Sequence, residues 1–419
     1  MIVIVIFLLA GRMAGAAKEV AMAWQYGVSE TVDAYVFVFK LAQWPIDILG
    51  GVLASVMIPV LARMPQDQPE EMLCFRAEML GAALGVGLLL GAVFWVALPW
   101  LVTQSWVHLA STQAEIAWGM ACYLAWIVPL DLVMRLFAAW TMAANRHVNT
   151  LSEGIPALTV LAAILLTKGG SEPLIWGTLL GYLAHVMLLG LSLVWRSEIT
   201  APRFRFTSPH WQALLAGLGL MVVSQTLVSF LTLIDQFYAA RLGPGALSTL
   251  NYAYRVLALI LALGATAISR AMLPVLARSH VEGRDLAGVA WRWAGLLWVA
   301  GCGALALGTV AAPWIVEILF QRGQFTAENT RQVVDMLRYG LFQAPFYFVS
   351  MVLTYALLSQ GRQIPVVFLN LLALLVKIVL SYFLVAGFGL GGLWMATAVA
   401  YLVSGLGALF LIIKTRADH

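Results

Sequence analysis

Long apolar runs recur from one end of this chain to the other. Of its 419 residues, 62% are hydrophobic and only 11% are charged. That composition leaves too little polar surface to cover a soluble globule of this length. Apolar runs of about 20 residues cross a bilayer as helices, because every backbone N–H and C=O there needs an internal partner. The sequence therefore predicts an all-α polytopic membrane protein.

The runs predict about twelve transmembrane helices, and the fifth is the shortest. They cover residues 1–24, 31–61, 79–102, 114–143, 152–167, 173–195, 212–239, 247–276, 287–312, 331–359, 364–386 and 390–413. The first run has no basic segment before it and is interrupted by Arg12, which is not typical of a cleaved signal peptide. We expect it to be the first span, slightly shortened.

One stretch, residues 33–63, is echoed about 215 residues later. Residues 58–63 read Ile-Pro-Val-Leu-Ala-Arg, and residues 273–278 read Leu-Pro-Val-Leu-Ala-Arg. At the same offset Lys40 falls on Arg255. A duplicated unit explains this agreement and predicts two pseudo-symmetric six-helix halves. The predicted halves are residues 1–196 and 212–419, joined by a basic cytoplasmic linker at 197–211.

The distribution of Lys and Arg between the predicted spans gives the orientation. The odd-numbered connections carry little beyond Lys168, Arg241 and Arg322. Because basic residues concentrate on the cytoplasmic side, both termini are predicted to be cytoplasmic. The pI near 9.0 then reflects topology, and nothing suggests a basic module that binds nucleic acid. The even-numbered connections and the C-terminus carry Arg63, Arg76, Arg146, Arg196, Arg203, Arg205, Arg278, Arg284, Arg362, Lys414 and Arg416.

Four cations inside predicted spans are candidates for a substrate-binding cavity: Arg12, Lys18, Lys40 and Arg255. A charge near the bilayer centre costs about 2.5 to 3.5 kcal/mol on insertion scales, which favours a protein-lined or water-filled cavity. Equivalent helices of two pseudo-symmetric halves face one cavity, so we expect Lys40 and Arg255 to point inward. For Lys18, an ion pair with Glu19 near the outer end of the helix is an open alternative.

Three residues of the second predicted span are candidates for gating. Asp33 follows Ser29 in a helix N-cap pattern, so a capping role and a gating role are both open for it. Pro45 precedes the pair Gly50-Gly51 in the same span. Breaks of this kind mark bends in long helices, so we predict a hinge at Gly50 and Gly51.

The other charged residues favour structural roles. Asp131 and Arg135, at i and i+4, are predicted to neutralise each other, and Asp335 is predicted to pair with Arg338. Lys377 faces either lipid or the cavity. Thr326 is predicted to cap the next helix. Residues 64–78 resemble a solvated loop or short surface helix, in which Arg76 is expected to be dispensable.

Cysteine and histidine usage gives no sign of a metal or a disulfide framework. Cys74, Cys122 and Cys302 lie far apart, and the six histidines lack ligand spacing. No G-x-x-x-x-G-K-[ST] motif for ATP occurs. We predict no cofactor.

Several motifs resemble the MurJ/MviN lipid II flippases of the MOP exporter superfamily. The resemblance covers nearly the whole chain. It rests on residues 11–19 (Gly-Arg-Met-Ala-Gly-Ala-Ala-Lys-Glu), Tyr26-Gly27, Asp33-Ala34-Tyr35, Asn145-Arg146, Val223-Ser224-Gln225, Tyr252-Ala253-Tyr254-Arg255 and residues 319–326 (Leu-Phe-Gln-Arg-Gly-Gln-Phe-Thr).

The resemblance implies a monomeric flippase of the bacterial inner membrane that works by alternating access. Family members use cavity cations at the positions of Arg12, Lys18 and Arg255, and an acid at Asp33. The implied partners are a lipid-linked oligosaccharide and membrane lipids. An inside-negative potential favours outward movement of a negative head group by about 2.3 kcal/mol per charge per 100 mV, so the membrane potential or an ion gradient suffices to drive transport.

Two departures from the family pattern concern the cargo. The family usually has a paired Arg soon after Lys40, where this chain has Ile46 and Asp47. It also commonly has two further helices after the position of His419. A related undecaprenyl-linked glycan, such as an exopolysaccharide repeat unit, is therefore an alternative to lipid II.

Two other functions remain as alternatives. A cation or drug antiporter of the same superfamily would favour acidic residues in the cavity, whereas this chain places mostly cations there. A membrane glycosyltransferase or polymerase acting on lipid-linked sugars would need carboxylates on a sizeable outer loop. The predicted outer loops are short, so the chain is expected not to be an enzyme.

Overall fold

The computed structural model describes residues 2–57, 60–61, 69–144, 148–167, 169–281 and 286–417. Throughout these ranges the regular structure is helical and no strand occurs, which confirms the predicted all-α class. The helices are α1 Ile2–Tyr26, α2 Glu30–Val52, α3 Pro69–Val102, α4 Ser111–Leu124, α5 Ile127–Ala143, α6 Val148–Ser152, α7 Ile155–Leu166, α8 Glu172–Val194, α9 His210–Arg241, α10 Ala246–Val281, α11 Leu286–Phe320, α12 Ala327–Leu341, α13 Ala344–Ser359, α14 Gln363–Phe388 and α15 Leu390–Ala417. A π-helical turn, Leu53–Met57, continues α2.

Ten helical segments of the described chain are long and apolar enough to cross a membrane. The count is eleven if α4 and α5, which are bent by 46° at a short break, form one span. The predicted number of twelve is not confirmed. Helix α1 is not among the candidate spans, since it contains three charged residues close together, Arg12, Lys18 and Glu19.

The chain forms two compact units. The first comprises Met1–Ser229 together with Gly243–Gly245 and Arg322–Phe325. The second comprises Phe230–Leu242, Ala246–Gln321 and Thr326–His419. The division at residues 196 and 212, which came from the repeat, stays a prediction.

Each unit has its own apolar core. In the first unit Phe75, Trp140 and Leu189 bring α3, α5 and α8 together. In the second unit Ala294, Phe348 and Ile412 join α11, α13 and α15. Small residues allow close helix packing, as expected where lipid supplies no hydrophobic drive between helices. Gly87 and Gly91 of α3, for example, lie against Pro129 of α5.

The prediction of a solvated loop or short surface helix at residues 64–78 is wrong for residues 75–78, which are buried in α3, and residues 62–68 lie outside the described ranges. Helix α3 already begins at Pro69, and both Arg76 and Glu78 are buried. Arg76 Nη1 lies 3.3 Å from Glu198 Oε2, and its guanidinium lies over the Trp140 ring. Arg76 is therefore part of the packing and does not suit the role of a dispensable residue.

The segment between α8 and α9 covers this part of α3. It runs without regular structure from Glu198 to Ser208. The Arg203 N–H donates to the Ala77 carbonyl at 2.9 Å, and the Arg203 carbonyl approaches Gly81 so closely that a Cβ there would collide with it. The segment provides hydrogen-bond partners for charged residues at this end of α3, such as Arg76 and Glu78.

Candidate functional site

The α1 cations have different environments. Arg12 is exposed. Lys18 Nζ lies 2.9 Å from Glu19 Oε1, and the two side chains are 12% and 6% exposed. Lys18 therefore forms the ion pair with Glu19 that the sequence analysis gives as an alternative. A direct role of either cation in binding cargo stays a prediction.

Asp33 is fully buried near the start of α2. The N-cap of that helix is Ser29, whose side chain accepts a hydrogen bond from the Val32 N–H at 3.5 Å. Asp33 Oδ2 instead accepts hydrogen bonds from Gln113 Nε2 at 2.7 Å and from the Gly245 N–H at 2.5 Å. Because the cap is Ser29, the carboxylate of Asp33 serves a network that includes the loop at Gly245.

Two loops from the second half of the sequence belong to the first unit. They are Gly243–Gly245 and Arg322–Phe325. The Gln324 N–H donates to the Trp24 carbonyl at 2.9 Å. Gly27 and Gly323 have φ of +59° and +62°, a conformation open to glycine, and a Cβ on either would collide with the facing backbone. The sequence analysis did not predict where these two loops pack.

Charged residues of α2 recur at a spacing of seven. Asp33, Lys40 and Asp47 therefore lie near one face of the helix, since seven residues make close to two turns. Asp33 is buried, Lys40 is half-buried and Asp47 is exposed. The face becomes more accessible from the start of α2 toward its end.

Asp47 belongs to a three-residue cluster with Asp131 and Arg135 of α5. Arg135 Nε donates to Asp131 Oδ1 at 3.1 Å, which confirms the predicted i,i+4 pair. Arg135 Nη2 donates to Asp131 Oδ2 at 3.2 Å and to Asp47 Oδ1 at 2.7 Å. The sequence analysis missed the bond to Asp47, because the two partners are 88 residues apart.

The glycine pair of α2 allows side chains to approach the backbone. A Cβ at Gly50 would lie 2.5 Å from Arg135 Cδ, and one at Gly51 would lie 2.6 Å from Gln225 Cδ. The helix passes through Pro45 and both glycines before the π-helical turn begins at Leu53. The close contacts account for both glycines without motion, and the hinge stays a prediction.

In the second unit, Arg255 is exposed on α10. Lys377, on α14, is 1% exposed and lies in the protein interior, not against lipid. Its Nζ donates to Asp235 Oδ2 at 2.9 Å and to the Leu231 carbonyl at 2.5 Å, both on α9. The sequence leaves open whether Lys377 faces lipid or the cavity. In the structure, Lys377 forms a buried ion pair with Asp235.

Other predicted contacts are confirmed. Thr326 caps α12 by accepting a hydrogen bond from the Asn329 N–H, and Asp335 pairs with Arg338 at 3.5 Å. The Asn145-Arg146 motif and Lys168 lie outside the described residues. In the part of the chain that is described, no three His, Cys, Asp or Glu residues are grouped so that they could hold a metal ion.

Comparison with known proteins identifies relatives along the whole chain. Residues 22–418 match the family model described as "Lipid II flippase MurJ". A probable lipid II flippase MurJ of Bdellovibrio bacteriovorus is 28% identical over 436 residues, which cover 97% of this chain and 80% of the relative. The lipid II flippase MurJ of Burkholderia cenocepacia is 25% identical and covers 99% of this chain and 83% of its own length.

Solved structures share the fold. A lipid II flippase MurJ in an inward closed conformation superposes with a TM-score of 0.83 at 17% identity, covering 99% of this chain and 88% of the other. A multidrug resistance MATE transporter of the MOP superfamily, in an inward-facing conformation, gives 0.74 at 14% identity and covers 99% and 98%. The match over residues 22–418 decides the family. The chain belongs to the MurJ family of lipid II flippases and is a multi-pass membrane transporter, not an enzyme.

Proposed function

We propose that this protein is a flippase that moves an undecaprenyl-diphosphate-linked glycan across the bacterial inner membrane. The cargo is lipid II or a related polysaccharide precursor, and it passes from the inner to the outer leaflet by alternating access. The protein acts as a monomer with both termini in the cytoplasm. Its membership of the MurJ family and its similarity to bacterial lipid II flippases support this proposal.

The observation that carries the proposal is the exposure of charged side chains within the helices. Asp47 and Arg135 have side chains 51% and 29% exposed, and Asp47 lies inside a candidate span. Charged groups in membrane helices almost always face the bundle interior or a water-filled cavity, since contact with acyl chains is costly. Arg255, which is also exposed, extends this argument to α10. Arg12 is exposed on α1, whose role as a span stays a prediction.

The side chains suit a phosphate-bearing head group. Guanidinium groups bind phosphate through paired hydrogen bonds, and ammonium groups add point charge. Arg12, Lys40 and Arg255 would compensate a diphosphate for its lost hydration, with Lys18 contributing when its bond to Glu19 opens. The apolar tail stays in lipid while the head group crosses.

The network around Asp33 supplies the outer gate in this scheme. Its carboxylate holds Gly245, which directly precedes α10, and Gln324 is held by Trp24 in the same unit. We expect these bonds to be made when the cavity opens inward and broken when it opens outward. Gly50 and Gly51 are the proposed hinge. The membrane potential or an ion gradient drives the cycle without a cofactor.

Pairing of the interior acids argues against a cation or drug antiporter. Asp131 and Asp47 share Arg135, Asp235 is paired with Lys377, and Asp33 is held by hydrogen-bond donors. An antiporter of this superfamily would need acids available to its cationic cargo.

The decisive experiment depletes the protein and identifies the lipid-linked sugar that accumulates in the inner leaflet. In the depleted strain we expect Arg12→Ala and Arg255→Ala each to abolish rescue of growth, because each removes a guanidinium from the head-group site. Arg331→Ala is the matched control, since Arg331 is highly exposed and pairs only with the exposed Glu328 among the described residues. Full rescue by both cavity variants at normal protein levels would contradict the cationic site.

A further inference from the structure

We propose that Arg135 binds a phosphate of the cargo, and that Asp47 is the counter-ion which it releases when the cargo arrives. The inference rests on the proposed function and adds a binding residue and a release device to the same site. It starts from the different strengths with which the two carboxylates hold one guanidinium.

Asp131 holds the guanidinium from the buried side. Its side chain is 1% exposed, and both of its oxygens accept hydrogen bonds from Arg135, at 3.1 and 3.2 Å. Two parallel hydrogen bonds fix the plane of a guanidinium as well as its position. Arg135 is therefore preorganised and does not have to be ordered by the ligand.

Asp47 holds the guanidinium from the accessible side. Its side chain is 51% exposed and makes one hydrogen bond to Arg135, to Nη2 at 2.7 Å. Ion pairs this exposed contribute little, because water competes for both partners. The Asp47 side chain can therefore rotate away from Arg135 toward solvent, where water hydrates its carboxylate.

The hydrogen bonds of Arg135 to the two carboxylates do not use all of its N–H donors. A guanidinium carries five N–H groups, and the three bonds to Asp131 and Asp47 use Nε and Nη2. Nη1 makes no hydrogen bond to any described residue and is not sealed from solvent. It lies close to α2 at Gly50, where a Cβ would be only 2.6 Å from it, so the missing side chain leaves this position open to Nη1. With Asp47 turned away, Nη1 and Nη2 offer an edge that matches two phosphate oxygens.

The surroundings suit an anionic head group. Lys40 precedes Asp47 by seven residues near the same face of α2 and adds positive charge along it. In the observed state Asp47 occupies the donor that the phosphate would take. Asp47 therefore competes with the cargo, lowers its affinity and favours its release.

The test measures binding of undecaprenyl diphosphate to the purified full-length protein in detergent, with undecaprenol and phosphatidylglycerol as comparison ligands. We expect Arg135→Gln to weaken binding by about tenfold or more, as loss of a charge-assisted pair of bonds does. Arg135→Lys keeps the positive charge but loses the paired donors of the guanidinium, so its affinity should lie between those of the wild type and Arg135→Gln. Asp47→Asn should tighten binding by about two- to fivefold, the size of one exposed ion pair, and slow transport.

The sign of the Asp47→Asn effect separates binding from structure. If Arg135 only joined α2 to α5, removing its counter-ion would weaken binding or leave it unchanged. Arg331→Gln is the matched control, and melting temperatures check that the variants fold. Wild-type protein that binds undecaprenol or phosphatidylglycerol as well as undecaprenyl diphosphate would overturn the proposed function, and this inference with it. Selective binding that neither Arg135→Gln nor Asp47→Asn changes would overturn only the role of Arg135.

Discussion

At the scale of single residues, several charges within the helices are held in ion pairs, some along one helix and others between helices. Asp131 and Arg135 were predictable because i and i+4 are neighbours on a helix. Lys377 was not, since its partner Asp235 is 142 residues away and only the fold brings them together. Asp47 went unpaired in the sequence for the same reason. Charges inside spans thus reveal that partners exist, while tertiary structure decides which they are.

The Lys377 pair leads to a prediction about stability. Lys377→Met should destabilise the second unit by about 3 to 5 kcal/mol, because it leaves the Asp235 carboxylate in the interior without a counter-ion. The double variant Lys377→Met with Asp235→Leu should recover most of that loss, since it removes both charges. Thermal unfolding in detergent measures both. Equal melting temperatures for the single and double variants would contradict the assignment of a buried ion pair.

At the scale of elements, apolar periodicity predicts the helices but not their polar ends. The start of α3 was misread as a solvated connection because its charges are satisfied by a segment more than 120 residues later. Glu78 accepts from the Thr207 N–H at 3.0 Å, the Thr207 hydroxyl at 2.9 Å, the Ser208 N–H at 3.2 Å and Trp211 Nε1 at 2.6 Å. One carboxylate of α3 thereby fixes the segment that leads into α9.

We expect Glu78→Ala to release this segment. The change removes the shared acceptor of the Thr207, Ser208 and Trp211 donors, and each part-buried hydrogen bond lost costs about 0.5 to 1.5 kcal/mol. Trp211 emission should shift toward that of a hydrated indole, and protease cleavage between Glu198 and Ser208 should become faster. Glu70→Ala is the control on the same helix, because Glu70 is exposed. Unchanged cleavage in Glu78→Ala would show that other contacts hold the segment.

At the scale of the whole molecule, the apolar runs were enough for the class of fold, because a continuous apolar run of about 20 residues satisfies its own backbone in lipid as a helix. Composition does not predict which residues belong to each of the two compact units. The repeat predicts halves at residues 1–196 and 212–419, a division that stays a prediction. It gives no sign that Gly243–Gly245 and Arg322–Phe325 pack in the first unit. These loops are short and polar, so no hydrophobic pattern marks where they pack. The packing depends on the Asp33 carboxylate and on glycines that let backbones meet.

That packing predicts the behaviour of the proposed gate. Asp33→Ala removes the acceptor of the Gly245 N–H and of Gln113, and hydrogen bonds to a charged group contribute about 1.5 to 3 kcal/mol each. The loops Gly243–Gly245 and Arg322–Phe325, which are outer in the predicted orientation, should therefore open about tenfold more often, or more, since 1.4 kcal/mol is a factor of ten. Val28 lies against Gly245 and reports the opening. With Val28→Cys in a protein whose own cysteines are replaced by Ser, an impermeant maleimide added outside should react correspondingly faster.

Asp335→Ala is the matched control for this measurement. It also removes a carboxylate paired with one partner, Arg338, but Asp335 is 67% exposed and lies within α12, in neither of the two loops. In the Val28→Cys protein, adding Asp335→Ala should leave the rate of maleimide labelling unchanged. If Asp33→Ala labels no faster than Asp335→Ala, then Trp24 and the glycine contacts keep the loops in place by themselves. In that case the Asp33 carboxylate would contribute to local folding and not to the gate.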